Sequence, residues 1–224
     1  MAKILQSRKR QLVQDAIYDA AITLFARKGF DETIVEEISE AAGISRRSFF
    51  RYFETKDDLL ALNTIHCGEC LVAAVKACPA SFSPLDVLRE AVLAGARFTE
   101  AQRHTRQIVE IAERSKSSRQ AHLSRLMEVH ESLDLVYMVR IKGASQYDLK
   151  PHLLAGLTLL ILNSATAAWY KGEHKDIEAA AKQGLLHIAQ MFSGESSSWT
   201  DVKRVQSGKK LSSKASKKSR SAGK

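Results

Sequence analysis

Apolar residues recur at three- and four-residue steps along almost the whole chain, and no stretch alternates apolar and polar residues as a half-buried strand does. The pattern predicts helices. The first runs from about Arg8 to Lys28, with Val13, Ile17, Ala20, Ala21, Leu24 and Phe25 on one face and Gly29 placed to end it. A second is expected to start at Thr33, forming a capping box with Glu36, and to end at Ala42-Gly43. Ser45 caps a short third helix from Arg46 to about Phe53. A fourth opens near Lys56-Asp57-Asp58 and runs to Ala77, where Pro79 stops it. Ser83-Pro84-Leu85-Asp86 is a helix start: a cap residue, a proline at the first position and an acid in the first turn. Further helices are predicted over 84–101, 103–114, 118–142, 151–171 and 177–192, with Gly143, Gly172 and Gly194 just past three of the ends. The expected fold is all-α, with about nine helices. From about Ser196 the chain turns to Ser, Lys, Gly and Ala and is expected to be disordered.

Length and composition refine this picture. With 224 residues the chain suits a small domain fused to a larger one, and the expected division is 1–60, 61–195 and a tail over 196–224. Only 3 prolines and 11 glycines argue against a turn-rich β sandwich or barrel. Three cysteines make no disulfide framework and suit a reducing compartment. No apolar leader core follows the basic start, Met1 to Arg10. The greasiest run, Leu153 to Ala168, includes Thr158, Asn163, Ser164 and Thr166 and falls short of the ~20 apolar residues of a membrane span. A soluble, cytoplasmic protein with no membrane partner is the expectation. The net charge of +9 is concentrated at the end, where the last 24 residues hold nine Lys/Arg and one acid. The rest of the chain is nearly neutral.

Residues 33–56 read T-I-V-E-E-I-S-E-A-A-G-I-S-R-R-S-F-F-R-Y-F-E-T-K, two short helices joined by a turn containing glycine. In a helix-turn-helix the second helix points its first turn at base edges in the major groove. Arg46, Arg47 and Ser48 occupy that turn, and an arginine there can fork two hydrogen bonds onto guanine O6 and N7. Tyr52 and Lys56 lie near enough to hold phosphates. Residues 1–60 balance ten bases with ten acids, so DNA binding here rests on placement and not on bulk charge.

A long first helix ending F-A-R-K-G-F, followed by this motif and K-D-D-L-L, resembles the N-terminal domain of TetR-family transcriptional regulators over about Arg8 to Leu60. The resemblance implies a DNA-binding domain followed by a larger helical domain for effector binding and dimerisation. It places Thr33 at a backbone-gripping position, Ser45, Arg46, Arg47 and Ser48 on the base-reading turn, and Phe50, Arg51, Tyr52 and Lys56 where relatives touch DNA. Position 50 departs from the family, where tyrosine is common; Phe50 has no hydroxyl to donate. The implied function is a ligand-responsive repressor that binds double-stranded operator DNA as a homodimer and answers to an unknown small-molecule effector. The alternative is an architectural DNA binder, driven by its basic tail and nearly indifferent to sequence.

Three weaker constellations complete the reading. Cys67, Cys70 and Cys78 lie near one face of helix four, but a lone C-x-x-C without a second pair is better read as buried small residues than as a metal or redox site. Phe82, Phe98, Met127, Tyr137, Met138, Trp169 and Tyr170 are core or pocket candidates. For the pocket that the resemblance implies, the candidates are His66, Cys70, Phe98, Met127, Thr158 and Asn163. Helices eight and nine are the most apolar pair, and the resemblance assigns them to a four-helix dimer bundle through Leu157, Ile161, Ala165, Ala168, Leu185 and Ile188; a core within one protomer is the competing reading. No nucleophile–base pairing and no metal spacing supports an enzyme, and no cofactor is expected. Helix four alone is expected to link the recognition helix to the larger domain.

Overall fold

The computed structural model describes residues 2–141 and 148–193; the predicted tail disorder and the glycine caps at Gly143 and Gly194 fall outside the described residues. Among these, nine helices and no strand are present: α1 (Ala2–Lys28), α2 (Val35–Ala41), α3 (Arg46–Phe49), α4 (Asp57–Ala77), α5 (Pro84–Ala101), α6 (Thr105–Arg114), α7 (Lys116–Arg140), α8 (Leu149–Tyr170) and α9 (Ile177–Ser193). α9 crosses from one compact unit, which ends at Lys182, into a second.

The first three helices close around aromatic residues. Ile17, Ala21, Ile22 and Phe25 of α1, Ile38 of α2, and Phe49 and Phe53 of the α3 region form one buried cluster with Phe30, Leu59 and Leu60. Phe25 and Phe30 meet edge to face at 4.9 Å between ring centroids, a geometry that the ring quadrupoles favour. α1 begins six residues before the predicted Arg8, and its outer turns carry Leu5 and Leu12 exposed.

In the larger helical region α4 packs on α5 and α7, and α8 packs on α5 and α7. α5 begins as predicted, with the Ser83 hydroxyl accepting from the Asp86 N–H and the Asp86 carboxylate accepting from the Ser83 N–H. α4 and α7 cross closely at Gly68, where an added Cβ would lie 2.7 Å from Val129 Cγ2. α8 spans 22 residues, so the greasy run belongs to a helix that is long and apolar enough to cross a bilayer by length and composition alone. Within the protomer that apolarity is used for packing, with Leu154, Leu159, Ile161 and Leu162 buried.

Two boundaries differ from expectation for a local reason. Thr33 does not cap α2. Its hydroxyl reaches back to donate to the Gly29 carbonyl at 2.6 Å, and the residue is wholly buried. The helix therefore starts one residue pair later, and Glu37, not Glu36, folds back to accept from the Ile34 N–H at 3.2 Å. α3 is shorter than predicted, although bonds from the N–H groups of Tyr52 and Phe53 to the Phe49 carbonyl carry its turn onward.

Candidate nucleic-acid interface and effector cavity

The turn between α2 and α3 is built on Gly43, whose φ of +67° is a left-handed conformation that costs a residue without Cβ nothing. Its N–H donates to Glu40 O and the next N–H, of Ile44, to Ser39 O, which closes the end of α2. Ser45 then caps α3 through its hydroxyl, which accepts from the Ser48 N–H at 3.1 Å. These two devices aim the first turn of α3 outward. Arg46 and Arg47 are exposed there, and Ser48 is half-buried.

The arginines are held differently. Arg46 pairs with Glu36 of α2 at 2.8 Å and lies over the Phe50 ring at 5.5 Å. Arg47 is exposed and has no side-chain partner among the described residues. Arg51 lies over the Tyr52 ring at 5.7 Å, and Arg10 of α1 approaches the same ring at 5.8 Å. Arg10 carries no signal in the motif, since only the fold brings α1 to Tyr52. Phe50 stays exposed and meets Phe49 edge to face.

Two of the expected DNA contacts, Thr33 and Lys56, make bonds within the protein. Thr33 is buried, and its hydroxyl donates to the Gly29 carbonyl. Lys56 is half-buried and donates to three carbonyls, Phe30 at 2.6 Å, Asp31 at 3.2 Å and Thr33 at 3.0 Å, while its ammonium sits 4.5 Å from the Phe30 ring centroid. An ammonium has three protons. All three are used inside the protein, where they buckle the α1–α2 turn to the start of α4.

The larger region holds a cavity of about 340 Å³. α4 contributes Leu60, Asn63, Thr64, Cys67, Gly68 and Leu71, which recur at helical spacing on one face. α6 adds Ile108, Val109 and Ala112; α7 adds Ser118, His122, Leu126 and Val129; α8 adds Leu159, Leu162 and Asn163. Of the six predicted pocket residues only Asn163 lines it. His66 and Cys70 lie on other faces of α4, Met127 is exposed, and Phe98 is turned away. Thr158 is buried, bonded to Leu154 O at 2.7 Å and to the Tyr137 hydroxyl at 3.0 Å. Tyr137 is therefore core, its pKa pushed up to about 12 chiefly by burial. Trp169 and Tyr170 carry the Arg106 guanidinium at 5.9 and 5.3 Å.

The cavity and the helix-turn-helix share walls. Leu60 belongs to the aromatic cluster and also lines the cavity, and Ile108 packs on the same cluster and also lines it. Ile111 of α6 is buried in that cluster. α6 is thus a second link beside α4, and the expectation of a single lever is corrected. Asp58 of α4 adds a polar tie, accepting from Arg125 of α7 at 3.0 Å and from the N–H groups of Glu54 and Thr55.

The three thiols do not converge. Cys67 faces Thr99 Oγ1 at 3.7 Å, Cys70 the Ala94 carbonyl at 3.8 Å, and Cys78 the Ala74 carbonyl at 3.2 Å. Burial pushes all three pKa values up, that of Cys67 to about 11. The dimerisation candidates also separate. Ile161 and Ala165 are buried inside the protomer, whereas Leu157, Ala168, Leu185 and Ile188 are half-buried. The large apolar residues that α8 leaves exposed are Leu149, Leu153 and Leu160. A helix apolar nearly all round gives no periodic signal for which stripe faces its own core.

A helix-turn-helix with an outward arginine turn, joined through α4 and α6 to a helical body with a cavity between its helices, defines the class of helical DNA-binding transcription regulators. The family model described as bacterial regulatory proteins, tetR family, matches residues 17–62. The chain is 25% identical to the HTH-type transcriptional regulator TcmR of Streptomyces glaucescens, over 78% of this chain and 80% of that one. It is 28% identical to the regulator MftR of Mycobacterium tuberculosis, over 77% and 87%. A solved TetR-family regulator from Syntrophomonas wolfei shares the fold at a TM-score of 0.61 and 16% identity, covering 82% of this chain and 96% of its own. Residues 17–62 thus match the DNA-binding domain of TetR-family regulators, and the relatives that cover most of the chain are transcriptional regulators.

Proposed function

We propose that this protein is a cytoplasmic, homodimeric repressor that binds a palindromic operator and releases it when a small molecule fills the cavity. The observation that carries the reading is the shared wall: Leu60 and Ile108 line the cavity and also pack on the cluster that holds Phe49 of the recognition helix. Ligand pressure on α4 or α6 is then felt directly beneath α3. Arg47 and Arg46 are the base readers in this reading, Arg46 after leaving Glu36. That exposed ion pair costs little to open, ~0–1 kcal/mol. Ser45 and Ser48 set the turn, while Phe50 offers an apolar edge to a thymine methyl. Arg51 and Tyr52, with Arg10 beside them, hold phosphates.

One reading turn contacts too few bases for specificity, so two copies must act together with their heads ~34 Å apart, one turn of duplex. Leu149, Leu153 and Leu160 on α8 supply an exposed apolar stripe for pairing. An effector that favours a different head separation lowers operator affinity by its differential affinity for the two states, typically ~1–3 kcal/mol, or about 5–150-fold. Operator weakens effector binding by the same factor.

The test begins with selection of preferred duplexes from a random pool, and continues with effector affinity measured with and without saturating operator. A palindromic consensus and a reciprocal loss of affinity are expected. A pool that emerges unenriched would return the protein to the architectural reading; equal effector affinities would leave it an unswitched DNA binder.

A further inference from the structure

The polar lining of the cavity is mostly spent. Thr105 donates to Thr99 O at 2.6 Å, Thr166 donates to Leu162 O at 2.9 Å, and Thr64 Oγ1 is bonded to His122 Nδ1 at 3.1 Å. The Cys67 thiol, held protonated by burial, lies against the Thr99 hydroxyl. Hydrogen-bonding capacity without a side-chain partner among the described residues remains on Asn63, on Asn163, on the Ser118 hydroxyl and on His122 Nε2. The only charged residues in the lining are Glu113 and Arg119, both exposed. They lie 3.8 Å from each other, and Arg119 also donates to the Ala112 and Glu113 carbonyls. Burial lowers the His122 pKa, so its ring is neutral at pH 7. The remaining walls are aliphatic, chiefly Leu60, Leu71, Ile108, Leu126, Val129 and Leu162.

A ligand charge brought inside would lose hydration and find as counter-charge only Glu113 or Arg119, which are exposed and already paired with each other. An apolar body would be well received, and a hydroxyl, carbonyl or amide on it would find amide and imidazole partners from α4, α7 and α8. We propose that the occupant is an uncharged, largely apolar molecule carrying one or two hydrogen-bonding groups, held by Asn63, His122 and Asn163. The proposal rests on the reading of the cavity as the effector site. His122 and the two asparagines come from three different helices, so a ligand that bonds them braces α4, α7 and α8 together. An imidazole whose Nδ1 is held by Thr64 offers Nε2 as donor or acceptor according to its tautomer, so both an alcohol and a ketone are served.

The experiment uses the full chain without DNA and a shape-matched set of probes: biphenyl, 4-phenylbenzyl alcohol, 4-phenylbenzoate and 4-phenylbenzylammonium. Affinity is read at pH 7.5 by calorimetry. The alcohol is expected to bind at least about tenfold more tightly than the carboxylate or the ammonium, and several-fold more tightly than biphenyl. His122→Phe should abolish the advantage of alcohol over biphenyl while keeping biphenyl affinity within about threefold. Asn163→Leu serves the same purpose should the first variant fail to fold. A carboxylate that binds as tightly as the alcohol, an alcohol preference that survives both variants, or binding of no probe up to its solubility overturns the proposal. Failure of the effector reading looks different: the alcohol binds with the stated preference, yet operator affinity does not change.

Discussion

The N-terminal three helices and the larger helical region solve opposite problems with similar material. Around Phe25, Phe30, Phe49 and Phe53 the small region is filled by rings and aliphatic chains, and its turns are tied by side-chain bonds such as those of Thr33 and Lys56. The larger region uses helices of up to 25 residues and leaves about 340 Å³ open among them. α2 and α3, of 7 and 4 residues, have little stability of their own and depend on packing against the 27-residue α1, so the reading head has to be filled. Long helices braced by their neighbours tolerate a hole. In the proposed function a head that holds arginines in register is filled, and a body that admits a guest keeps a space.

This contrast can be broken by mutation. Phe49→Ala removes a wholly buried ring from the filled region and should cost ~3–5 kcal/mol, enough to unfold the head; chemical denaturation measures it. Leu126→Ala, on the rim of an existing hole, should cost only ~1 kcal/mol in the same assay. Equal losses would erase the distinction between the two regions. Lys56→Met should lower stability by ~1–3 kcal/mol without any DNA present, because three carbonyls lose their donor. If it changes DNA affinity alone, the lysine is a phosphate contact after all.

Arg47→Ala should leave stability within ~0.5 kcal/mol and remove ~1–3 kcal/mol of discrimination at one base pair, as competition between preferred and scrambled duplexes would reveal. The acid limb of the stability curve should report on the cavity. Burial lowers the His122 pKa below its ordinary 6.5, so as pH falls through 6.5 the unfolded chain takes up a proton that the folded chain refuses. Stability is full above that value and declines below it. His122→Phe should flatten this limb; an unchanged slope between pH 7 and 5 would place the titration elsewhere. The smallest effect concerns the thiols. With their pKa values raised they hold little thiolate at neutral pH, so replacing Cys67, Cys70 and Cys78 by serine should leave DNA binding indifferent to reductant and peroxide.

The helices were legible because periodicity, proline and glycine punctuation report on local structure, and the Ser83-Pro84 start is an instance read without error. The recognition turn was legible for the same reason, since Gly43 and Ser45 act on their immediate neighbours. What lay beyond reach depended on distant partners. Thr33 has the residue type of a cap, yet a carbonyl four residues back claims its hydroxyl. Lys56 sits at a motif position that looks like a phosphate contact, and only the fold brings three carbonyls to it from residues 23 to 26 positions away. The cavity face of α4 follows Asn63, Thr64, Cys67 and Leu71, and nothing in the spacing prefers that face to the one bearing His66 and Cys70. For α8 the ambiguity was complete, because its apolar residues surround the helix.

The double allegiance of α6 has a consequence for anyone wishing to redirect what the protein is proposed to sense. Ile111 is anchored in the head, while Ile108, Val109 and Ala112, within one turn, face the cavity. Altering that helix to admit a new compound would disturb the head at the same time, and a library built there would confound recognition with output. α7 and α8 carry His122, Leu126, Leu159 and Asn163 without contributing to the head's aromatic cluster. They are the walls to randomise for a biosensor, with α4 and α6 left as the fixed wiring between guest and reading head.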